Sequence, residues 1–329
     1  MNTPQDPPSM TLRRRLRRLI VIFVIFFVLP LILIPFGFGF TSMFGLLHPP
    51  CADGGTPDAY GVDFREISIP APGGGSYRGF YMAGDPASYR GEATIIVPPA
   101  YAGGRGAMLE EASLLVKAGY NILMYEGRIC AGKTLSLGYR DVEDIGAALD
   151  YLRANPEGFR VDMSRIALHG YSSAGAASTM AMARYPEVRG AVAEGGYHNL
   201  NELMGIGTPA NVLHGIMQVG SLSAYRLFTG DDPAVLDPFG ALEHIPPRGL
   251  FLVYGSKEST LPGAERQLAR LLEVDPEAFT ALWVPQDADH GTYVRTAGAA
   301  EFTRQMTGFY DCALFDRCDA WRQEWAGKP

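Results

Sequence analysis

Cysteine is scarce in this chain: four occur among 329 residues, and no two of them are spaced as Cys-x-x-Cys. That spacing is typical of structural zinc sites, so the sequence argues against such a site. Basic residues are also too few to dominate, because 28 Lys and Arg stand against 35 Asp and Glu. This balance argues against a nucleic-acid-binding surface on the main body. With 47% hydrophobic and 19% charged residues, the composition is that of a globular protein with a sizeable core.

The N-terminal segment has the opposite charge to the rest. Residues 1–18 contain five arginines and one acidic residue, and residues 19–40 follow without a single charge. An apolar run of this length crosses a bilayer as a helix. Because basic residues stay on the cytoplasmic side, we predict a cytoplasmic segment 1–18, a transmembrane anchor 19–40 and an extracytoplasmic remainder. A cleaved signal peptide is the alternative, but its apolar stretch is usually ~7–15 residues and no A-x-A-like site follows here.

After the anchor, proline- and glycine-rich residues 41–60 are predicted to form a linker. Short apolar runs then alternate with segments of helical periodicity, which predicts an α/β domain over residues 61–311, followed by a tail, 312–329. The runs are apolar throughout, as expected of a mainly parallel central sheet with helices on both faces. The predicted strands are 64–69, 77–82, 94–97, 121–125, 165–168, 188–194, 250–254 and 279–284. The predicted helices are 108–118, 141–153, 264–272 and 299–310, with another after residue 172.

The sequence Gly-Tyr-Ser-Ser-Ala at 170–174 lies between the fifth predicted strand and a helix that ends before Pro186. A chain that turns from strand to helix so quickly leaves no room for side chains at the corner, which suits Gly170 and Ala174. The arrangement resembles the nucleophile elbow of the α/β-hydrolase superfamily, in which a serine hydroxyl is presented at the carboxyl edge of the sheet. Ala174 departs from the family's usual final glycine. Together with the apolar N-terminal run, the chain resembles the membrane-anchored bacterial serine hydrolases of that superfamily.

In that superfamily the catalytic residues follow in the order Ser, acid, His. The resemblance therefore implies that Ser172 is the nucleophile, His290 the general base and Glu258 the acid that orients it. Glu258 lies in a turn similar to the family's G-x-x-D-x-x-V-P, with a glycine and a proline at the matching positions. Asp287 and Asp289 are the alternative acids.

The resemblance also implies two backbone N–H groups for a developing oxyanion, those of Tyr101 and Ser173. Ser173 directly follows the nucleophile. Tyr101 lies in the loop after the third predicted strand, where related enzymes read H-G-x-G-G and this chain has Pro-Ala at 99–100. Two further turns, 127–133 and 137–144, are similar to turns of the family. Neither a cofactor nor a metal is implied.

Residues 198–236 do not fit another strand–helix unit, and their apolar residues lack a clean period. In α/β hydrolases an insertion here forms a lid, so we predict a lid-like insertion; a plain helical connection is the alternative. His198 and His214 fall within it, where either could contact a substrate. His169, beside the elbow, is predicted to be structural.

The resemblance implies a membrane-anchored serine hydrolase that cleaves a carboxylic ester, thioester or amide of a small-molecule or acyl substrate through an acyl-enzyme. A peptidase of the same fold is one alternative. A binding protein that kept the fold and lost catalysis is another. The cysteines suit an exported domain: Cys312 and Cys318 could close a short loop, whereas Cys51 and Cys130 have no obvious partner. The oligomeric state is left open.

Overall fold

The computed structural model describes residues 8–200 and 210–325. This part of the chain forms two compact units. The first contains the described residues of 1–47 and 206–233, and the second contains those of 48–205 and 234–329. Most of the predicted insertion 198–236 therefore belongs to the same unit as the N-terminal segment.

The first unit consists of a long N-terminal helix and one helix of the insertion. The N-terminal helix comprises Pro8–Phe23, a wider π-helical turn Val24–Val28, and Leu29–Leu47. Its portion Leu12–Leu47 is long and apolar enough to cross a membrane. The helix Val212–Thr229, here called the insertion helix, packs against its second half.

The π-helical turn of the N-terminal helix comes just before Pro30. Proline has no N–H, and its ring would collide with the carbonyl four residues earlier in a regular helix. Leu29 donates its N–H to the carbonyl of Val24, five residues back, so the helix widens there instead of breaking. The helix also continues seven residues past the predicted end at 40.

The second unit is built on one eight-stranded sheet. Its strands are Arg65–Pro70 (β1), Ser76–Met82 (β2), Thr94–Val97 (β3), Asn121–Tyr125 (β4), Ile166–Tyr171 (β5), Val188–Glu194 (β6), Gly249–Val253 (β7) and Thr280–Trp283 (β8). The spatial order is β1-β2-β4-β3-β5-β6-β7-β8. β2 pairs antiparallel with β1 and β4, and the remaining neighbours are parallel. The prediction of a mainly parallel sheet is confirmed, and β1 and β2 form an antiparallel hairpin at one edge.

The helices of the second unit connect its parallel strands or follow the last strand, β8. They are Leu109–Lys117, Tyr139–Ala154, Pro156–Phe159, Ser173–Arg184, Pro238–Ala241, Leu261–Val274, Tyr293–Ala297, Ala299–Phe315 and Asp319–Trp325. Strands β3, β4 and β7 are buried along their whole length. Strands whose two faces are both covered need apolar residues at every position. The continuous apolar runs of the sequence therefore fit a sheet with helices on both faces.

Part of the predicted linker is bonded to the second unit after the N-terminal helix ends. Cys51, for which the sequence suggested no partner, forms a disulfide with Cys130. Next to it, Ala52 donates its N–H to the carbonyl of Ala102 at 2.9 Å and accepts from Gly104 at 2.6 Å. Cys51 is therefore joined to the loop that follows β4, and Ala52 to the loop that follows β3.

The C-terminal tail also belongs to the second unit. Cys312 and Cys318 form the predicted short disulfide loop. It is followed by the helix Asp319–Trp325, in which the ring of Trp321 lies 4.8 Å from that of Phe251 on β7. Trp321 is buried, so this end of the chain contributes to the core.

Candidate active site

The corner between β5 and the next helix is a tight turn centred on Ser172. Ser172 has a backbone φ of +57°, a conformation that side chains rarely adopt unless the surroundings impose it. Its N–H donates to the carbonyl of Glu194, at the end of β6, at 2.7 Å. A Cβ on Gly170 would stand 2.2 Å from the carbonyl oxygen of Ala174, so only glycine fits there. Ala174 itself is accommodated, fully buried, in place of the family's glycine.

The structure brings the side chains of Ser172, His290 and Glu258 together. His290 follows β8, and its Nε2 lies 3.1 Å from the Oγ of Ser172. Its Nδ1 lies 2.8 Å from Oε2 of Glu258, which follows β7. An ionised carboxylate only accepts hydrogen bonds, so Nδ1 carries the proton and Nε2 is left to accept from the serine hydroxyl. These three loops meet because they all leave the carboxyl edge of the same parallel sheet.

Glu258 is almost completely buried and has all its hydrogen bonds satisfied from nearby. Oε1 accepts from the Gly255 N–H at 2.7 Å and from the hydroxyl of Tyr293 at 2.6 Å. Oε2 accepts from Thr260 at 3.2 Å in addition to His290. Burial raises the pKa of Glu258, but the hydrogen bonds from His290, Tyr293 and Gly255 outweigh it, and the net pKa is lowered. The carboxylate is therefore ionised at neutral pH although it is buried.

Three neighbours of this site were not found from the sequence. Tyr293 donates to Glu258, and Tyr171 packs its ring 4.8 Å from the imidazole of His290. Gly195, with φ of +58°, lies against Tyr293 and His290. A Cβ there would stand 2.6 Å from the Tyr293 hydroxyl and 2.7 Å from Nδ1 of His290. The Gly-Gly pair directly after β6 is the only sequence signal of this close approach.

The alternative acids have other partners. Asp287 forms an exposed ion pair with Lys257 at 3.1 Å. Asp289 accepts from the backbone N–H of His290 at 2.8 Å, a contact that holds the loop but not the imidazole. Among the three candidate acids, Glu258 is thus the one that touches the imidazole.

The remaining histidines lie elsewhere. His169 is buried, with Nδ1 2.9 Å from the Tyr310 hydroxyl and Nε2 3.1 Å from Glu194. The other oxygen of Glu194, Oε2, has no hydrogen-bond partner among the described residues. His198 lies 3.0 Å from the guanidinium of Arg266. His214 belongs to the first unit, within the insertion helix.

A further acidic residue, Glu111, has a raised pKa because of burial and of the nearby Glu194. Burial raises the pKa of Glu111 to about 7, and the negative charge of Glu194 adds to this effect. An acid that holds its proton near neutral pH makes folding stability depend on pH.

The two predicted oxyanion donors lie on different elements. Ser173 is the first residue of the helix Ser173–Arg184, and the first N–H groups of a helix have no acceptor within it. Tyr101 lies in the turn after β3, where Gly103 donates to the carbonyl of Ala100 at 2.8 Å. This turn is hydrogen-bonded to the backbone of Ala52, the residue next to the disulfide between Cys51 and Cys130. The oxyanion role of both N–H groups stays a prediction.

Comparison with known proteins shows the fold but no close relative. No family model matches the sequence, and no curated protein sequence matches it. Solved structures do match. An esterase of Pyrococcus furiosus superposes with a TM-score of 0.61 at 19% identity, over 81% of this chain and 99% of that one. An acylaminoacyl peptidase of Pyrococcus horikoshii gives 0.57 at 16% identity, over 77% of this chain and 42% of that one.

A structure described as an alpha/beta hydrolase, from a Penicillium species, also matches. Its TM-score is 0.55 at 15% identity, over 77% of this chain and 99% of that one. At such low identity the similarity supports the fold alone. The chain has the α/β-hydrolase fold, as the resemblance at the elbow implies.

Proposed function

We propose that this protein is a serine hydrolase that cleaves a carboxylic ester, thioester or amide through an acyl-enzyme on Ser172. The observation that carries the proposal is the continuous line of contacts from the Ser172 hydroxyl through both nitrogens of His290 to Glu258. A serine hydroxyl is a weak nucleophile until a base accepts its proton, and the base needs a third group to orient it. The esterase and peptidase among the structural neighbours are consistent with this chemistry.

The reaction would proceed in two halves. Ser172 Oγ attacks the carbonyl carbon of the substrate while Nε2 of His290 takes the hydroxyl proton. The imidazolium is stabilised by the ionised Glu258 and then gives its proton to the leaving group, which leaves an acyl group on Ser172. Water then repeats the sequence, with His290 as base, and releases the acid.

Negative charge develops on the substrate oxygen during both halves. We assign its stabilisation to the backbone N–H groups of Ser173 and Tyr101. In a water-poor site each such donor is worth about 2.7–4 kcal/mol of transition-state stabilisation. Backbone donors need no side chain of a particular type, which is consistent with the Pro-Ala at 99–100 in place of the family's His-Gly.

We also propose that the N-terminal helix stays attached as a membrane anchor, with residues 1–18 in the cytoplasm and the hydrolase domain on the other side. The five arginines before the apolar run support this orientation. The disulfides Cys51–Cys130 and Cys312–Cys318 support an oxidising, extracytoplasmic location. A mature protein found to begin after residue 40 would instead identify the segment as a signal peptide.

Hydrolysis of a panel of acyl esters, thioesters and amides tests the activity and ranks the substrate classes. We expect turnover of at least one class by the purified full chain and none by Ser172→Ala. Turnover of aminoacyl amides but not of esters would favour the peptidase. An inert wild-type chain would favour the binding protein that lost catalysis.

A further inference from the structure

The insertion helix and the N-terminal helix approach until their backbones touch at two glycines. A Cβ on Gly39 would stand 1.9 Å from the carbonyl oxygen of Met217, and a Cβ on Gly220 would stand 2.1 Å from that of Phe36. The hydroxyl of Ser221 donates across the same contact to the carbonyl of Gly39 at 3.0 Å. Small residues that let backbones meet, with a hydroxyl bonding between the helices, are typical of helices packed within a membrane.

The two helices run parallel, and this determines how far the insertion helix reaches along the apolar run. Near its end, the ring of Phe228 lies 5.0 Å from that of Phe44. Near its beginning, Leu213 lines a groove together with Phe27. The insertion helix therefore begins level with the centre of the uncharged run 19–40 and ends beyond its upper limit.

The insertion helix carries large apolar side chains that the described part of the chain leaves about half or more exposed. They are Val212, Leu213, Val219 and Leu227, and they are between 46% and 79% exposed. The single Asp, Glu, Lys or Arg of the helix is Arg226, in the last turn, where it pairs with Asp232 at 3.2 Å. Charge is thus confined to the end that lies beyond the apolar run.

Two hydroxyl groups of the insertion helix bond to carbonyl groups of the same helix. Ser223 donates to the carbonyl of Val219 at 2.7 Å, and Thr229 donates to that of Tyr225 at 2.7 Å. Hydroxyls bonded back to the helix need no water, which is a requirement for a helix placed in hydrocarbon.

Between the two helices lies a groove of about 720 Å³. Its walls are mostly apolar and include Phe26, Phe38 and Leu213, and the polar residues Asn211 and His214 line it as well. Exposure of this surface to water is unfavourable, because each Å² of apolar area removed from water stabilises the protein by about 25 cal/mol. A groove whose walls are mostly apolar favours an apolar occupant.

We propose that the insertion helix is embedded beside the anchor in the non-cytoplasmic leaflet, and that lipid acyl chains fill the groove and cover the exposed apolar side chains. This rests on the proposed membrane anchor, because the depth of the insertion helix is set by residues 19–40. The protein is then held by a spanning helix and a second, partly inserted helix that belongs to the chain of the hydrolase domain.

Tryptophan fluorescence in liposomes tests this with the full chain. Phe27→Trp, Leu213→Trp and Leu227→Trp variants are reconstituted in lipids brominated either deep in the acyl chain or close to the headgroup. The unsubstituted chain supplies the background of its three tryptophans. We expect deep bromines to quench Phe27→Trp and Leu213→Trp, and shallow bromines to quench Leu227→Trp more than deep ones do.

The outcomes separate this inference from the anchor proposal. Quenching of Phe27→Trp without quenching of Leu213→Trp would show that the anchor is embedded and the insertion helix is not. Absence of quenching in both would overturn the anchor as well. Loss of Leu213→Trp quenching at high protein density would identify a second copy of the chain, rather than lipid, as the occupant.

A glycine pair provides the matched control for docking. Gly39→Leu, combined with Leu213→Trp, should abolish the deep quenching, because its side chain would collide with the backbone of Met217. Gly37→Leu should leave it unchanged, because no atom lies within 4 Å of a Cβ at Gly37. Equal quenching in both variants would show that the glycine contact does not hold the helix at depth.

Discussion

Gly195 lies directly beneath the imidazole of His290, so close that a Cβ would stand 2.7 Å from Nδ1. The backbone after β6 therefore forms the surface on which the imidazole rests. In this position the imidazole reaches both Ser172 and Glu258.

Gly195→Ala should reduce kcat by at least about 100-fold, because the methyl group displaces His290 and a 1 Å misplacement can cost that much. Gly61→Ala is the control for backbone strain, since Gly61 has a similar φ of +67° and no atom within 4 Å of a Cβ. We expect it to cost stability but not kcat. Equal kcat in both variants, measured on one ester, would contradict this role of Gly195.

Glu258→Gln should reduce kcat by on the order of 10²–10⁴, because a neutral amide neither fixes the imidazole tautomer nor stabilises the imidazolium. Asp287→Asn and Asp289→Asn should each lose far less, since neither carboxylate touches the imidazole. Steady-state kinetics on all three variants decides the assignment. A collapse of either aspartate variant with Glu258→Gln within about threefold of wild type would overturn it.

Tyr293→Phe should raise the pKa of the Glu258 carboxyl group. The hydroxyl of Tyr293 donates to the carboxylate of Glu258 and is one of the causes of its lowered pKa. Without that bond, the ionised form is less stabilised, so the pKa of Glu258 rises and the carboxylate is protonated at a higher pH. Infrared titration of the Glu258 carboxyl group in both proteins, with Glu258→Gln to assign its band, tests this. An unchanged pKa would mean that the hydroxyl of Tyr293 does not stabilise the ionised carboxylate.

Glu111→Gln should stabilise the fold at pH 8 and much less at pH 5. With a folded pKa of about 7 and an unfolded value near ~4.3, the folded state binds the extra proton between these limits. The free energy of unfolding therefore falls as the pH rises from the unfolded pKa to the folded pKa and is constant above it. The total decrease is up to about 3 kcal/mol. Denaturant unfolding at both pH values measures it, with exposed Glu110→Gln as control. A difference between Glu111→Gln and wild type that does not change with pH would contradict the expectation.

Much of the fold and the three proposed catalytic residues could be predicted because they depend on local patterns. Apolar runs gave the strands, and the spacing around Ser172 and the Glu258 turn gave two of the three side chains. Tyr293 could not be found in this way, because its role depends on where a helix after β8 places it. Nor could the Cys51–Cys130 pair, whose members are 79 residues apart. The docking of the insertion helix likewise depends on two glycines, Gly39 and Gly220, far apart in sequence.

The central claim is that the hydroxyl of Ser172 is the group that becomes acylated. Mass spectrometry of the full chain after reaction with a fluorophosphonate probe, followed by peptide mapping, tests it most directly. We expect one adduct, on Ser172, that is absent from Ser172→Ala and retained in Ser173→Ala. An adduct that persists in Ser172→Ala and disappears in Ser173→Ala, or a wild-type chain that does not react, would contradict the account.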